Sequence, residues 1–160
     1  MAATVRLAQS GDLETLMKLR LDYFSAEGIS MSAADRQTIE SQLRAYFEKH
    51  LNNDFFAALV EIEPGVASVA FLVVSERPAN LSWKTGKTGM ILNVLTCPEH
   101  RRKGYATLAI NALIRIARRL NLSYLELSAS ESGLPLYQQL GFKELDASDS
   151  HFKPMKLVLV

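Results

Sequence analysis

The sequence lacks several features that would give a function away. Its single cysteine, Cys97, excludes an intrachain disulfide, and a reducing compartment is the expected address. Charge of one sign is missing too, since 18 Lys+Arg stand against 17 Asp+Glu for a formal net charge of +1. No global field therefore recruits nucleic acid or an anionic membrane surface, and any basic site must be local. The longest apolar run, Val69 to Val74, is far too short to span a bilayer. Met1 to Arg6 show neither the basic nor the long apolar region of a secretory signal, so the chain is read as cytoplasmic. No internal repeat is present, and His50, His100 and His151 stand apart without metal-ligand spacing, so no metal site is expected.

What is present suits one globular domain over residues 1–160, with 48% hydrophobic and 22% charged residues. Thr4 to Leu7 reads as a short strand, and Ser10 is placed to cap a helix running to about Glu27, with Gly28 as its stop. Leu13, Leu16, Met17, Leu19, Tyr23 and Phe24 recur there at helical spacing. A second helix follows from Ser32, striped by Ile39, Leu43, Phe47 and Leu51. The pattern then changes to two β-rich runs, Phe55 to Ile62 and Val66 to Ser75, joined by the turn residues Glu63-Pro64-Gly65. A polar loop to Thr88 leads into a buried strand from Met90 to Leu95, and a long amphipathic helix opens at Tyr105. Tyr124 to Leu127, Phe142 to Leu145 and Met155 to Val160 read as strands, and Leu134 to Leu140 as a short helix. The resulting order, β-α-α-β-β-β-α-β-α-β-β, gives an α/β fold with a mixed sheet. Its fourth and fifth strands lie parallel through a right-handed crossover.

Between the fourth strand and the long helix lie Cys97-Pro98-Glu99-His100-Arg101-Arg102-Lys103-Gly104. A helix N-terminus presents unpaired N–H groups and partial positive charge, which suit a phosphate or pyrophosphate. Gly104 lets backbone donors approach closely, and the small Ala106 does not crowd them. Arg101, Arg102 and Lys103 concentrate charge where the molecule as a whole has almost none. The plain alternative for this segment alone is a solvated, basic helix start.

The segment Arg101-Arg102-Lys103-Gly104-Tyr105-Ala106 resembles the Gln/Arg-x-x-Gly-x-Gly/Ala signature of the GNAT superfamily of acetyltransferases, which follows a strand and opens a helix. Asn93 to Glu99 looks like that family's fourth strand with its Pro-Glu approach to the loop, and Gly133 to Phe142 like its Leu-Tyr-x-x-x-Gly-Phe block. Together with the element order, the resemblance covers nearly the whole chain. It implies a central mixed sheet with splayed strands 4 and 5, about four flanking helices, and acetyl-CoA as acyl donor. The backbone of Val94, Leu95 and Thr96 would pair with the pantetheine arm, and the N–H groups of Arg102, Lys103, Gly104, Tyr105, Ala106 and Thr107 would hold the pyrophosphate.

The resemblance also assigns Tyr137 as the acid that protonates the departing thiolate, against a simple packing role. Glu126 is the candidate base, with a solvated, edge-facing glutamate as the equal alternative. Asn93 either orients substrate or satisfies local backbone groups. Ala129-Ser130-Glu131 departs from many relatives, which carry an asparagine there that contacts cofactor. Cys97 reads as a packing residue rather than a covalent nucleophile. The acceptor is a primary amine, on a small molecule or a protein, walled by candidates Tyr23, Phe24, Glu27, Tyr46 and Trp83. A homodimer built through the C-terminal strand stays open. Two rivals remain: a non-catalytic acyl-CoA-binding or regulatory module, and a nucleic-acid binder using Arg101 to Lys103 with Arg115 to Arg119. The near-neutral charge weighs against the second.

Overall fold

In the computed structural model, which describes residues 2–146 and 153–160, the β-rich runs join into one five-stranded sheet. β1 (Thr4–Leu7), β2 (Phe55–Ile62), β3 (Gly65–Glu76), β4 (Lys87–Thr96) and β5 (Leu125–Glu126) lie side by side in that order. The first three junctions are antiparallel and the last, between β4 and β5, is parallel. Four α-helices accompany them: α1 (Leu13–Ala26), α2 (Ala33–His50), α3 (Tyr105–Arg119) and α4 (Leu134–Gln139). The chain divides into two compact units, residues 1–128 with the sheet and α1 to α3, and residues 129–160 with α4. No described helix is long and apolar enough to cross a membrane.

Strand β2 is buried from Phe55 to Val60 without alternation, which requires cover on both faces of the sheet. On one face Phe55, Ala57, Leu59, Val69 and Phe71 pack against Leu16, Met17 and Leu19 of α1 and Leu43 and Phe47 of α2. The intervening residues Phe56, Ala58, Val60, Ala70 and Leu72 are buried as well and, by the two-residue period, point the other way. There α3 buries Ala109, Ile110, Leu113, Ile116 and Ala117 against β2 and β3. The alanines on both partners let helix and sheet approach closely.

Ser32 caps α2 as expected, its hydroxyl accepting from the Asp35 N–H at 3.0 Å. Ser10 does not cap α1. It opens a short 3-10 turn, Ser10–Asp12, in which Gln9 takes the cap position and the Asp12 carboxylate accepts from the Gln9 N–H at 2.7 Å. Asp12 wins because Arg6 forks onto it at 2.7 and 2.9 Å while also reaching Glu61 at 2.7 Å. One guanidinium thereby ties β1, β2 and the entry to α1. The Arg6 hydrogen bonds hold the Asp12 carboxyl below its ordinary range.

Two expected strands are corrected. Residues 142–146 and 153–160 form no strand, and most of their apolar side chains lie open, with Leu145 91% and Leu157 83% exposed, while Phe142 is half-buried. β-composition supplies side chains for a strand but not a partner, and no described strand pairs with these stretches. Residues 147–152 lie outside the described residues. β5 is also shorter than the expected Tyr124 to Leu127, at two residues.

Two outcomes follow. A Cβ on Gly89 would stand 2.6 Å from Leu125 Cδ2, 2.7 Å from Leu72 Cδ1 and 2.9 Å from Leu122 Cδ1. Gly89→Ala is therefore expected to cost about 1–3 kcal/mol in urea unfolding, and an unchanged midpoint would contradict the close packing of the β4–β5 junction. Asp12→Asn is expected to destabilise the protein at neutral pH. Because the folded carboxyl lies below the ordinary value of 3.8, its contribution is complete above that value and fades as pH falls through the lower folded value. Melting curves of the two proteins should converge in acid, and a gap independent of pH would refute the pairing.

Candidate active site

Strand β4 pairs with β3 along its length but with β5 only at Gly89 and Met90. Beyond Met90 the two parallel strands part, and the β4 edge from Ile91 to Thr96 has no strand partner among the described residues. Within this stretch the ladder with β3 slips: Leu92 faces Phe71 and Leu95 faces Val69, so Asn93 and Val94 together oppose Ala70. Asn93, within this bulge, adopts a left-handed φ of 54°. Strict alternation would set Leu92 and Leu95 on opposite faces, yet both pack against the α1/α2 core, and the extra residue is what permits it. Ser68, buried in β3, braces the far end by donating to the Leu95 carbonyl at 3.1 Å and bonding the Thr96 hydroxyl at 2.8 Å.

After β4 the chain turns through a 3-10 segment, Pro98–His100, into the basic loop. Gly104 occupies the cap position of α3 with φ 79° and open space around its α carbon. Any other L residue reaches that angle only under strain. Arg102 is left-handed as well, at φ 63°. Left-handed positions in a turn gather neighbouring N–H groups on one side, the arrangement of an anion nest. No side chain from the cap position bonds the first turn of α3, and no acid lies in that turn. The N–H groups of Tyr105, Ala106 and Thr107 thus keep their donors and the helix dipole for a ligand. Arg101 donates to the Thr96 carbonyl at 3.2 Å and Lys103 to the Glu99 carbonyl at 3.0 Å, so these two side chains brace the loop. A pyrophosphate fits this uncapped, donor-rich turn, and an extended arm fits the unpaired β4 edge beside it.

The Acetyltransferase (GNAT) family model matches residues 13–142. The chain belongs to this family. Acetyl-CoA is the family's acyl donor. The chain's fold is similar to that of a predicted acetyltransferase from Clostridium acetobutylicum solved with acetyl-CoA: 27% identity, TM-score 0.83, covering 97% of this chain and 96% of that one. It is similar also to a GCN5-related N-acetyltransferase from Ralstonia eutropha, with 24% identity, TM-score 0.77 and coverage of 96% and 99%. At 14% identity and TM-score 0.66, a glucosamine-6-phosphate N-acetyltransferase from Arabidopsis thaliana shares the fold, over 95% of this chain and 99% of that one. No curated protein matches.

The other residues singled out from the sequence fall in different surroundings. Glu126 is exposed on β5, in register with Met90. In the second unit the Tyr137 ring stands edge-on to Phe142, centroids 6.1 Å apart, and a Cβ on Gly133 would come within 3.1 Å of it. The Gly-Leu-Pro-Leu-Tyr block therefore fixes a ring, with glycine needed for space. Of the acceptor candidates, Tyr46 joins the aromatic cluster of Phe47, Phe55 and His50, and Trp83 lies in the exposed β3–β4 loop under Arg77, 3.9 Å from its ring centre. Burial pushes the Cys97 thiol up, which disfavours the thiolate a nucleophile needs. Among the described residues no three His, Cys, Asp or Glu side chains are grouped to hold a metal ion.

Sequence reasoning passed over Arg20 and Ser68. Arg20 carried a signal, since it interrupts the apolar stripe of α1 four residues after Leu16 and four before Phe24. Ser68 carried none, because a serine inside a β-run is common.

Gly104→Ala places a Cβ on a left-handed cap and should cost about 1–2 kcal/mol of stability. Distortion of the same turn should raise the Kd for acetyl-CoA about tenfold in titration calorimetry. An unchanged Kd would remove the loop from the binding site.

Proposed function

We propose that the protein is a cytoplasmic N-acetyltransferase that acts as one functional domain and moves the acetyl group of acetyl-CoA to a primary amine by direct attack. The observation that carries this reading is the uncapped, left-handed turn at Gly104 set directly after the unpaired edge of β4. The family match spans both compact units and supports treating them as one functional domain. The backbone of Val94, Leu95 and Thr96 lies along the arm of the cofactor, and the N–H groups of residues 102–107 take its pyrophosphate.

The acetyl thioester supplies an activated carbonyl carbon. A bond forms from the amine nitrogen to that carbon while the carbon–sulfur bond breaks, and its electron pair goes to sulfur. Tyr137 donates its phenolic proton to the departing sulfur, which leaves as the neutral thiol, and the attacking nitrogen gives up its surplus proton through water to the Tyr137 phenolate, which leaves an amide and a restored phenol. The amine is mostly protonated near neutrality and must first lose a proton, which Glu126 takes through water. A backbone N–H of β4 past the bulge faces the developing oxyanion, and alignment of the two reactants supplies the rest of the acceleration.

Thiol release on mixing the protein with acetyl-CoA and a panel of small and peptide amines tests the reading. Tyr137→Phe is expected to lower kcat about 10²- to 10⁴-fold with acetyl-CoA affinity preserved. Cofactor binding without release for any amine, and without effect of Tyr137→Phe, would instead mark a non-catalytic acyl-CoA-binding module.

A further inference from the structure

Among the described residues Arg20 is a cation without an anion. It projects from the half-buried side of α1, and burial pulls its guanidinium down from the ordinary arginine value. No described carboxylate forms an ion pair with it, whereas Arg6 has two and Arg36 and Arg44 one each. Its guanidinium carbon lies 4.4 Å from the Phe24 ring centre and 5.7 Å from that of Tyr23, which holds the group in place on its own helix. One nitrogen, Nη1, donates to Asn93 Oδ1 at 3.1 Å, across 73 residues of sequence. That bond fixes the orientation of the amide, with Oδ1 toward Arg20 and Nδ2 left as its spare donor. Asn93 is only 2% exposed, and Nδ2 has no hydrogen-bond partner among the described residues. A partly desolvated guanidinium lacking a counter-charge and a buried amide donor lacking an acceptor are both costly, and one anionic oxygen group would complete both.

The location gives the group its role. Asn93 lies three residues past Met90, the last β4 residue paired with β5, and immediately before Val94 to Thr96. We infer that the acceptor amine carries an anionic oxygen group, a carboxylate or a phosphate, and that Arg20 and Asn93 receive it beside the open edge of β4. The inference rests on the acetyltransferase reading for its substrate but not for its binding site. Arg20 meets the anion first, and because Nδ2 is closed to solvent its bond forms as the anion settles. Arg20 and Asn93 are thus specificity residues, and the reacting atoms lie elsewhere.

The experiment compares matched amines: a carboxylate against its carboxamide, and a phosphate ester against its alcohol. The anionic member of at least one pair is expected to be favoured about 10- to 100-fold in kcat/KM, and the responding pair identifies the oxyanion. Arg20→Met should bring that ratio towards one. Asn93→Asp should do the same, because it keeps a residue suited to φ 54° while giving Arg20 an internal carboxylate. Arg20→Lys should retain part of the ratio, and melting curves confirm that each variant folds. A wild-type ratio near one, or a ratio that survives both variants, overturns the inference.

A second readout needs no turnover. The Asn93 side-chain amide resonance is followed while acetate, inorganic phosphate or neutral acetamide is added at constant ionic strength. A saturable shift with an anion, absent in Arg20→Met, is expected, and no shift overturns the site. A shift without thiol release from any amine would leave the anion site standing and remove acetyl transfer. Thiol release without preference for anionic amines would do the reverse.

Discussion

Strand β4 must satisfy its backbone on two sides, and the sheet provides for only one of them. Toward β3 the ladder is continuous except at the bulge, while toward β5 it stops after Gly89 and Met90. Backbone N–H and C=O groups left unpaired at the centre of a sheet are expensive, and an extended ligand that adds itself as a strand is the cheapest remedy. The parting of β4 and β5 therefore makes the site as much as any side chain does. Gly89 fixes where the strands still touch, because three leucine side chains crowd its α carbon. The bulge at Asn93 fixes what β4 presents afterwards, by resetting its alternation so that Leu92 and Leu95 both stay in the α1/α2 core.

The same economy governs charge. With a formal net charge of +1 the chain exerts little long-range pull, so the proposed anion binding depends on short-range donors. At the start of α3 these are backbone N–H groups, freed by the absence of a side-chain cap and gathered by left-handed Arg102 and Gly104. Two of the three basic side chains in the loop are spent on holding its shape. Backbone recognition of this kind tolerates wide variation in side chains. Arg20 follows the opposite logic, since it is a side-chain cation placed without its partner on a helix that otherwise buries leucines.

Much of this was legible in the sequence because it depends on local chemistry. Strand and helix periods located β1 to β4 and α1 to α4, Ser32 announced its cap, and the turn residues at 63–65 announced the β2–β3 hairpin. The basic glycine loop was visible for the same reason, since the donors at a helix start and the angle a glycine permits are properties of a few adjacent residues. The expected strands at 142–145 and 155–160 failed because a strand exists only with a partner, and composition carries no record of one. Ser10 lost the cap position to Gln9, whose N–H is held by the Asp12 carboxylate that Arg6, reaching from β1, grips.

By itself, then, the sequence determined β1 to β4, the four helices, the basic glycine turn before α3 and the family, all of which are written in short stretches of chain. Only the tertiary structure decided where β4 and β5 part, which residues share the bulge, and that Arg20 and Asn93 meet across 73 residues with a donor left over. The physical reason is that pairing, register and the balance of buried charge are properties of residues brought together from distant positions. No window along the chain contains both members of such a pair.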